Sequence, residues 1–484
     1  MQGGENMEEK KSEGQKLQDK LFYKTANIWS KITSDEKAKM NEFCEDYKSF
    51  LDKGKTEREF VNEAVTIAEQ KGFIPLEKLL ESQTKLTPGT KIYKIIKNKA
   101  MILCVTGKKP PEEGANIVGG HIDAPRIDLK QNPLYEDSEI ALLKTHYYGG
   151  IKKYQWVTIP LAMHGVVVKT DGTIVNILIG EDENDPVFTI TDLLPHLAKE
   201  QMVKKMSEGI TGEGLNLLFG TETYNDEKVN EKVKLNILNI LNQKYGIIEE
   251  DFQTAELEIV PAFKAKDVGL DRSMIGAYGQ DDRVCSYPAL RAILEIEEAE
   301  YTAVCLLTDK EEIGSMGNTG AESRLFEDFM ANLCAIGKSN YNDNILRKCL
   351  NNSKMLSADV NPAFDPNFND VQDKRNASYL GKGIVLEKYT GSRGKAGGSE
   401  ANPEFMAKVR SIFNDNNIVW HSAELGKVDQ GGGGTIAQFI ANLGAEVLDC
   451  GVSILSMHSP FEVVSKVDVY MCYKGYKVFY EKMN

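Results

Sequence analysis

The chain predicts an α/β fold interrupted by a β-rich insertion, and three observations point there. Apolar runs of strand length alternate with helical patterns in the first third and again after residue 270. The stretch between them carries strand-like runs broken by turn signals. At 484 residues the chain also exceeds what one hydrophobic core comfortably fills. The predicted division is a loose N-terminal arm over 1–20, an α/β domain over 21–140 and 270–484, and an inserted β-rich domain over 141–269.

Ser34-Asp-Glu opens a predicted helix. Thr56-Glu-Arg-Glu59 is a capping box ahead of Phe60, Ala64, Val65 and Ala68, which recur at helical spacing until Gly72 stops them. Ala100 to Val105 and Asn116 to Gly119 read as strands. In the insertion, Trp156–Pro160, Gly165–Thr170, an Asp171-Gly172 turn and Thr173–Ile179 read as a hairpin region. After Asp281 a helix carries Ala289, Leu290, Ile293 and Leu294, with Pro288 placed to distort its early part. A strand Thr302–Thr308, a helix Glu322–Ile336 and a strand Lys354–Ala358 follow. Pro403 suits the first position of a helix, a strand covers Ile418–His421, and Thr435 begins a helix that Gly444 ends.

Composition narrows the function classes. Apolar residues at 41% and charged residues at 27% describe a globular protein. A net charge of −14 argues against nucleic acid as a partner. The eight cysteines are scattered without a CxxC pair, so they read as buried thiols rather than a disulfide framework or zinc ribbon. The polar N-terminus has no apolar signal core and no stretch is long enough to span a bilayer. A cytoplasmic location and no membrane partner are expected.

The most informative residues are the adjacent acids Glu311 and Glu312, directly after the strand Thr302–Thr308. Adjacent buried carboxylates repel, so a fold rarely places them there for stability. One could bind metal while the other takes a proton from water held by that metal. Alone, the pair reads as readily as a solvated loop. Four further groups change the balance. His121 and Asp123 lie two apart in Gly119-Gly-His-Ile-Asp and share a face of an extended segment. There, His121 suits a metal ligand and Asp123 its supporting carboxylate. Asp281-Asp282 stands at a loop-to-helix junction, Asp359 follows the strand after Lys354, and His458 follows the apolar run Val447–Leu455. Alone, the first reads as a helix N-terminus, Asp359 as a strand-end turn and His458 as a hydrogen-bonded histidine. Together, His121, Asp281, Glu312, Asp359 and His458 suit two divalent metals, with zinc first and cobalt or manganese as alternatives. Most of them fall at strand ends, where open α/β sheets place their sites.

The order His-x-Asp, then Asp after a long insertion, then Glu-Glu-Ile-Gly-Ser (311–315), then Ser-Ala-Asp (357–359), then Ser-Met-His-Ser (456–459) resembles the aspartyl aminopeptidase family of dinuclear zinc exopeptidases. The resemblance covers roughly residues 20 to 484. It implies a phosphorylase/hydrolase-like three-layer catalytic domain and an inserted β-rich domain used for oligomerisation and substrate access. It also implies a homo-dodecamer acting on small peptides. By the same resemblance Asp281 would bridge the metals, Glu311 would be the general base, and Asp123 its neighbour. Ile190-Thr-Asp-Leu-Leu-Pro-His196 resembles a family segment whose histidine reaches a neighbouring subunit's site, which makes His196 a candidate substrate contact.

Two positions depart from the family pattern. Asp281 is followed by Asp282-Arg283 rather than Asn-Leu. Where acid-selective members carry a lysine near the end of a Gly-x-Val-Ile-Lys segment, this chain reads Gly383-Ile-Val-Leu-Glu387. Such a charge reversal would repel acidic substrates, although Lys388 is adjacent. The expected activity is release of single N-terminal amino acids by hydroxide activated between two zinc-type ions, with neutral or basic residues favoured. A dinuclear carboxypeptidase or deacylase, or a catalytically dead assembly or cargo protein of the same fold, are the rivals. Gly391-Ser-Arg-Gly-Lys395 lacks the spacing of a phosphate loop and reads as a loop near the substrate, with Gly431–Gly434 allowing close backbone approach.

Overall fold

The computed structural model describes residues 11–23, 25–82 and 85–484. Within the predicted arm, residues 1–10 lie outside the described residues. Ser12 caps a helix, Glu13–Leu21, that buries no side chain. The other described residues build sheets of nine, seven and five strands, one two-stranded pair and a set of covering helices.

The largest sheet has nine strands. In spatial order they are Ile74–Pro75, Lys91–Ile96, Ala100–Val105, Thr302–Thr308, Ala115–His121, Lys354–Ser357, Glu446–Gly451, Ile384–Glu387 and Trp420–Ser422. Its four central strands, from Thr302–Thr308 to Glu446–Gly451, run parallel. Ala115–His121 and Thr302–Thr308 are buried along their whole length, as expected of strands covered on both faces. One face packs against helices Ser34–Lys53, Glu57–Gln70, Gln280–Leu294, Pro403–Asp415 and Lys466–Lys482. The other packs against Leu76–Ser82, Leu325–Ala335, Asp343–Asn352 and Ala437–Ala441. This is the three-layer α/β arrangement expected. Among the described residues no helix is long and apolar enough to cross a membrane, and all eight cysteines are buried free thiols.

The second sheet is antiparallel and has seven strands, in the order Ile174–Ile179, Leu161–Val168, Ala255–Pro261, Arg126–Asp137, Ile140–Tyr148, Leu217–Gly220 and Thr189–Ile190. Its own apolar cluster centres on Trp156, Leu161, Val167, Ile259 and Leu217. The hairpin Leu161–Val168 to Ile174–Ile179 forms as predicted, with Gly172 at positive φ. Trp156–Pro160 is not a strand. Thr158 adopts φ +61°, which breaks the extended run, and ladder-type contacts begin only at Leu161, which exchanges hydrogen bonds with Phe188. The strands Arg126–Asp137 and Ile140–Tyr148 straddle the boundary at 140 that the sequence predicts.

An ionic layer joins this sheet to the start of helix Glu57–Gln70. The predicted capping box is present: Thr56 and Glu59 satisfy each other's backbone N–H groups. Glu59 also meets His164 Nδ1 at 2.7 Å, and His164 Nε2 lies 3.1 Å from Glu181. Lys55 donates to Glu181 and to the Pro261 carbonyl. The Arg126 guanidinium reaches Glu57 at 2.7 Å and Asp128 at 2.8 Å. Arg126, Glu57 and His164 are buried, so breaking one partner would strand the other charge.

Small differences from the predicted elements are local. The helix expected over 322–336 spans Leu325–Ala335, that expected from Thr435 spans Ala437–Ala441, and the strand expected over 418–421 covers Trp420–Ser422. In Gln280–Leu294 the non-helical angles fall at Asp281 and Asp282, joined by a cis peptide, and not around Pro288. The apolar run Val447–Leu455 splits into Glu446–Gly451 in the large sheet and Ser453–Leu455 in a five-stranded third sheet. At the split Gly451 passes so close to Asp359 that an added Cβ would sit 1.6 Å from its carbonyl oxygen. Gly451→Ala therefore lowers stability by about 3 kcal/mol through overpacking. Thermal denaturation checks this, and an unchanged midpoint contradicts the close approach.

Candidate metal centre

The parallel register sets the site. His121 ends its strand opposite Thr308. The chain after Thr308 turns through a short 3-10 segment, Glu311–Ile313, with Lys310 at φ +69°. On the other side of His121's strand, Lys354–Ser357 ends two residues before Asp359. Three neighbouring strands thus deliver His121, Glu311, Glu312 and Asp359 to one edge. Asp281 comes from the irregular start of its helix, and His458 from the turn between Ser453–Leu455 and Glu462–Ser465, at φ +63°.

Asp281 sits between two imidazoles. Its Oδ1 lies 3.3 Å from His121 Nε2 and its Oδ2 lies 3.1 Å from His458 Nε2. His458 Nε2 also faces Glu312 at 3.4 Å. His121 Nε2 faces Asp359 at 3.9 Å and Glu311 at 4.0 Å. Donor atoms of His121, Asp281 and Glu312 lie within 4.8 Å of one another, as do those of His121, Glu311 and Asp359. Asp123 stands behind this group, with Oδ1 3.2 Å from His121 Nδ1. Its two oxygens accept the backbone N–H groups of Glu311 and Glu312 and the hydroxyl of Tyr148.

The electrostatics are those of several carboxylates crowded into one buried space. Burial drives Glu311 up to about 7, against the pull of His121. Burial, then the neighbouring Asp281, holds Glu312 well above the carboxylate range, and burial with Asp282 does the same to Asp359. Burial would also raise Asp281, but His121 and His458 keep it below its usual value. Burial disfavours charged imidazoles, yet Asp123 and Asp281 raise His121, and Asp281 raises His458 to about 10. Glu312 Oε1 is buried with no hydrogen-bond partner. A divalent cation would compensate the clustered buried carboxylates and lower their proton affinity. The donors are oxygen and nitrogen without thiolate, a set that fits zinc.

A cavity of about 590 Å³ opens onto the centre, lined by Asp281, Glu311, Glu312, Asp359 and His458. Glu387, at the end of Ile384–Glu387, lines it too, whereas Lys388 is exposed and lines a separate groove beside Arg410 and Trp420. Burial, with Asp449 beside it, pushes Glu387 up to about 8. The Gly391–Lys395 loop and Gly431–Gly434 form another wall. They pair through Gly391–Ser392 and Gly432–Gly433, where an added Cβ on Gly432 would meet Ser392 Cα at 2.5 Å. His196 is exposed between Thr189–Ile190 and Lys199–Met202 and does not line its own chain's cavity.

Sequence reasoning missed Glu462. This buried carboxylate accepts from the backbone N–H groups of Gln280, Asp281 and His458, at 2.6, 3.0 and 2.8 Å. It thereby ties the Asp281 segment to the His458 turn. Its one sequence signal is an acid at the head of an apolar strand, which is faint.

The family profile of aminopeptidase I zinc metalloproteases (M18) matches residues 50–480. A probable M18 family aminopeptidase 1 of Clostridium acetobutylicum is 52% identical over 459 residues, covering 95% of this chain and 98% of its own. The crystal structure of an M18 family aminopeptidase from Thermotoga maritima superposes with a TM-score of 0.91 at 46% identity, covering 96% of this chain and all of that one. The mApe1 dodecamer of S. cerevisiae shares the fold, with a TM-score of 0.71 at 23% identity over 90% of this chain and 95% of that one. With its profile match, its half-identical relatives and its shared fold, the chain belongs to the M18 family of zinc aminopeptidases.

Proposed function

We propose that this cavity releases single N-terminal residues from small peptides with two divalent ions, zinc by preference. His121, Asp281, Glu312, Asp359 and His458 would hold the ions, with Asp281 shared between them. The observation that carries this reading is the placement of Asp281, whose two oxygens each face a different imidazole. Bound ions would supply Lewis acidity to the scissile carbonyl and to the attacking water. Glu311 takes the proton from that water and delivers it to the leaving amine nitrogen. Its high proton affinity among buried acids, and the Asp123 carboxylate gripping its backbone N–H, support that role.

Specificity follows from the wall. Glu387 offers an acidic substrate side chain either repulsion or a neutral acid, and in neither state a countercharge. Lys388 lies outside the cavity. Three cations also line the cavity, all on its loop walls: Lys395, which pairs with Glu400, Lys427, which donates to the Asp370 carbonyl, and the exposed Arg393; the reading rests on Glu387 at the strand end. Neutral or basic N-terminal residues are therefore the proposed substrates. For His196 we propose contact with a neighbouring subunit's cavity in a dodecamer like that of the yeast neighbour. Exposed Leu193, Leu194 and Leu197 around it support burial by another copy. The buried thiols support a reducing, cytoplasmic location.

Three outcomes are expected. Chelation abolishes peptide hydrolysis and added zinc restores it; activity that survives full demetallation refutes the metal reading. Glu311→Gln retains zinc but loses roughly 10²–10⁴-fold in kcat, and a fully active variant removes Glu311 from the mechanism. On Lys-, Leu- and Asp-p-nitroanilides, the first two turn over faster and Glu387→Lys shifts preference toward Asp. Rapid Asp turnover by the unaltered protein, with slow Lys and Leu, sinks the specificity proposal.

A further inference from the structure

Both imidazoles of the centre turn the same nitrogen away from it. His121 presents Nδ1 to Asp123, 3.0 Å from its carbonyl oxygen and 3.2 Å from its carboxylate. His458 donates from Nδ1 to the Gly150 carbonyl at 3.1 Å. In each ring Nε2 is left to face the acidic cluster. A carbonyl accepts only, so Gly150 holds a proton on His458 Nδ1, and in the neutral ring Nε2 is then the nitrogen free to coordinate.

The groups behind these contacts converge on one place, the end of strand Ile140–Tyr148 in the seven-stranded sheet. Tyr148 donates its hydroxyl to Asp123 Oδ2 at 2.9 Å. Its ring is held by Arg126, whose guanidinium carbon stands 4.0 Å from the ring centroid. Arg126 is fixed in turn by Glu57 and Asp128. Gly149, at φ +74°, turns the chain so that Gly150 reaches His458. An added Cβ would lie 3.4 Å from Glu312 Cβ at Gly149 and 3.2 Å from His458 Nδ1 at Gly150.

We infer that Tyr148 is a positioning residue for the metal centre: its hydroxyl orients the Asp123 carboxylate that holds His121 and the Glu311–Glu312 backbone, while Gly149–Gly150 on the same strand end hold His458. The seven-stranded sheet then acts inside its own chain's active site, beyond any part in assembly. The inference rests on His121 and His458 being ligands. Its chemistry is a hydroxyl donor to one carboxylate oxygen, which leaves the other oxygen to the His121 side and the Glu311 N–H.

The test is zinc titration of metal-free full-length protein against a competing chromophoric chelator, on wild type, Tyr148→Phe and Tyr148→Leu, with thermal midpoints and steady-state kinetics alongside. Phe keeps the ring on Arg126 and loses only the hydroxyl. The expected result is that Phe retains the wild-type midpoint yet binds zinc roughly tenfold more weakly and loses kcat with KM little changed. Leu, if it folds, is no worse than Phe in zinc affinity. Wild-type zinc affinity and kcat in Tyr148→Phe overturn the inference while leaving the proposed function standing. Full rescue of a weak Leu variant by Phe assigns Tyr148 to packing and overturns it too. A wild-type protein that binds no zinc overturns both.

Discussion

Asp281 between His121 and His458 is the contact on which the rest of this structure depends. A carboxylate buried among other carboxylates is costly unless positive charge reaches it. Here each oxygen meets an imidazole from a different, distant part of the chain. The remaining acids, Glu311, Glu312 and Asp359, crowd the same space and are driven toward protonation. The fold holds these groups together despite their repulsion, which it tolerates because its covered sheet and packed helices supply the stability elsewhere.

That scaffold works by registering strand ends. The strands carrying His121, the Glu311–Glu312 turn and Asp359 are neighbours and run in one direction, so their carboxyl ends coincide without special adjustment. The groups that do not end a central strand need separate ties. Glu462 supplies them for Asp281 and His458 by gathering three backbone N–H groups. Asp123 does the same for the Glu311–Glu312 turn. Two acids thus act as acceptors that stiffen loops.

The ionic layer of Lys55, Glu57, Glu59, Arg126, His164 and Glu181 gives the seven-stranded sheet a fixed pose on the catalytic layers. Buried charge pairs of this kind contribute little net stability but tolerate few alternative geometries. A sheet that reaches into the site through Tyr148 and Gly150 needs that restriction, because a hydrogen bond is lost over displacements of less than an ångström.

Much of this was legible in the residues alone. The capping box at Thr56, the buried strands at Ala100 and Thr302, and the helix opening at Pro403 follow from short-range periodicity and capping, which neighbouring residues control. The acids and histidines at strand ends were legible for the same reason: each follows an apolar run. The Trp156–Pro160 strand failed because Thr158 takes a left-handed angle that breaks the extended run. The choice between Glu387 and Lys388 as the cavity residue depended on which face of one strand turns inward. Glu462 left only a faint trace, and the roles of Tyr148 and the pairing of each Asp281 oxygen with a separate imidazole left none, since they join segments far apart in the chain. The sequence by itself determined that acids and histidines follow apolar runs or open the helix after them. Only the tertiary structure decided which atoms meet, because that depends on the spatial order of strands, an outcome of packing summed over the whole chain.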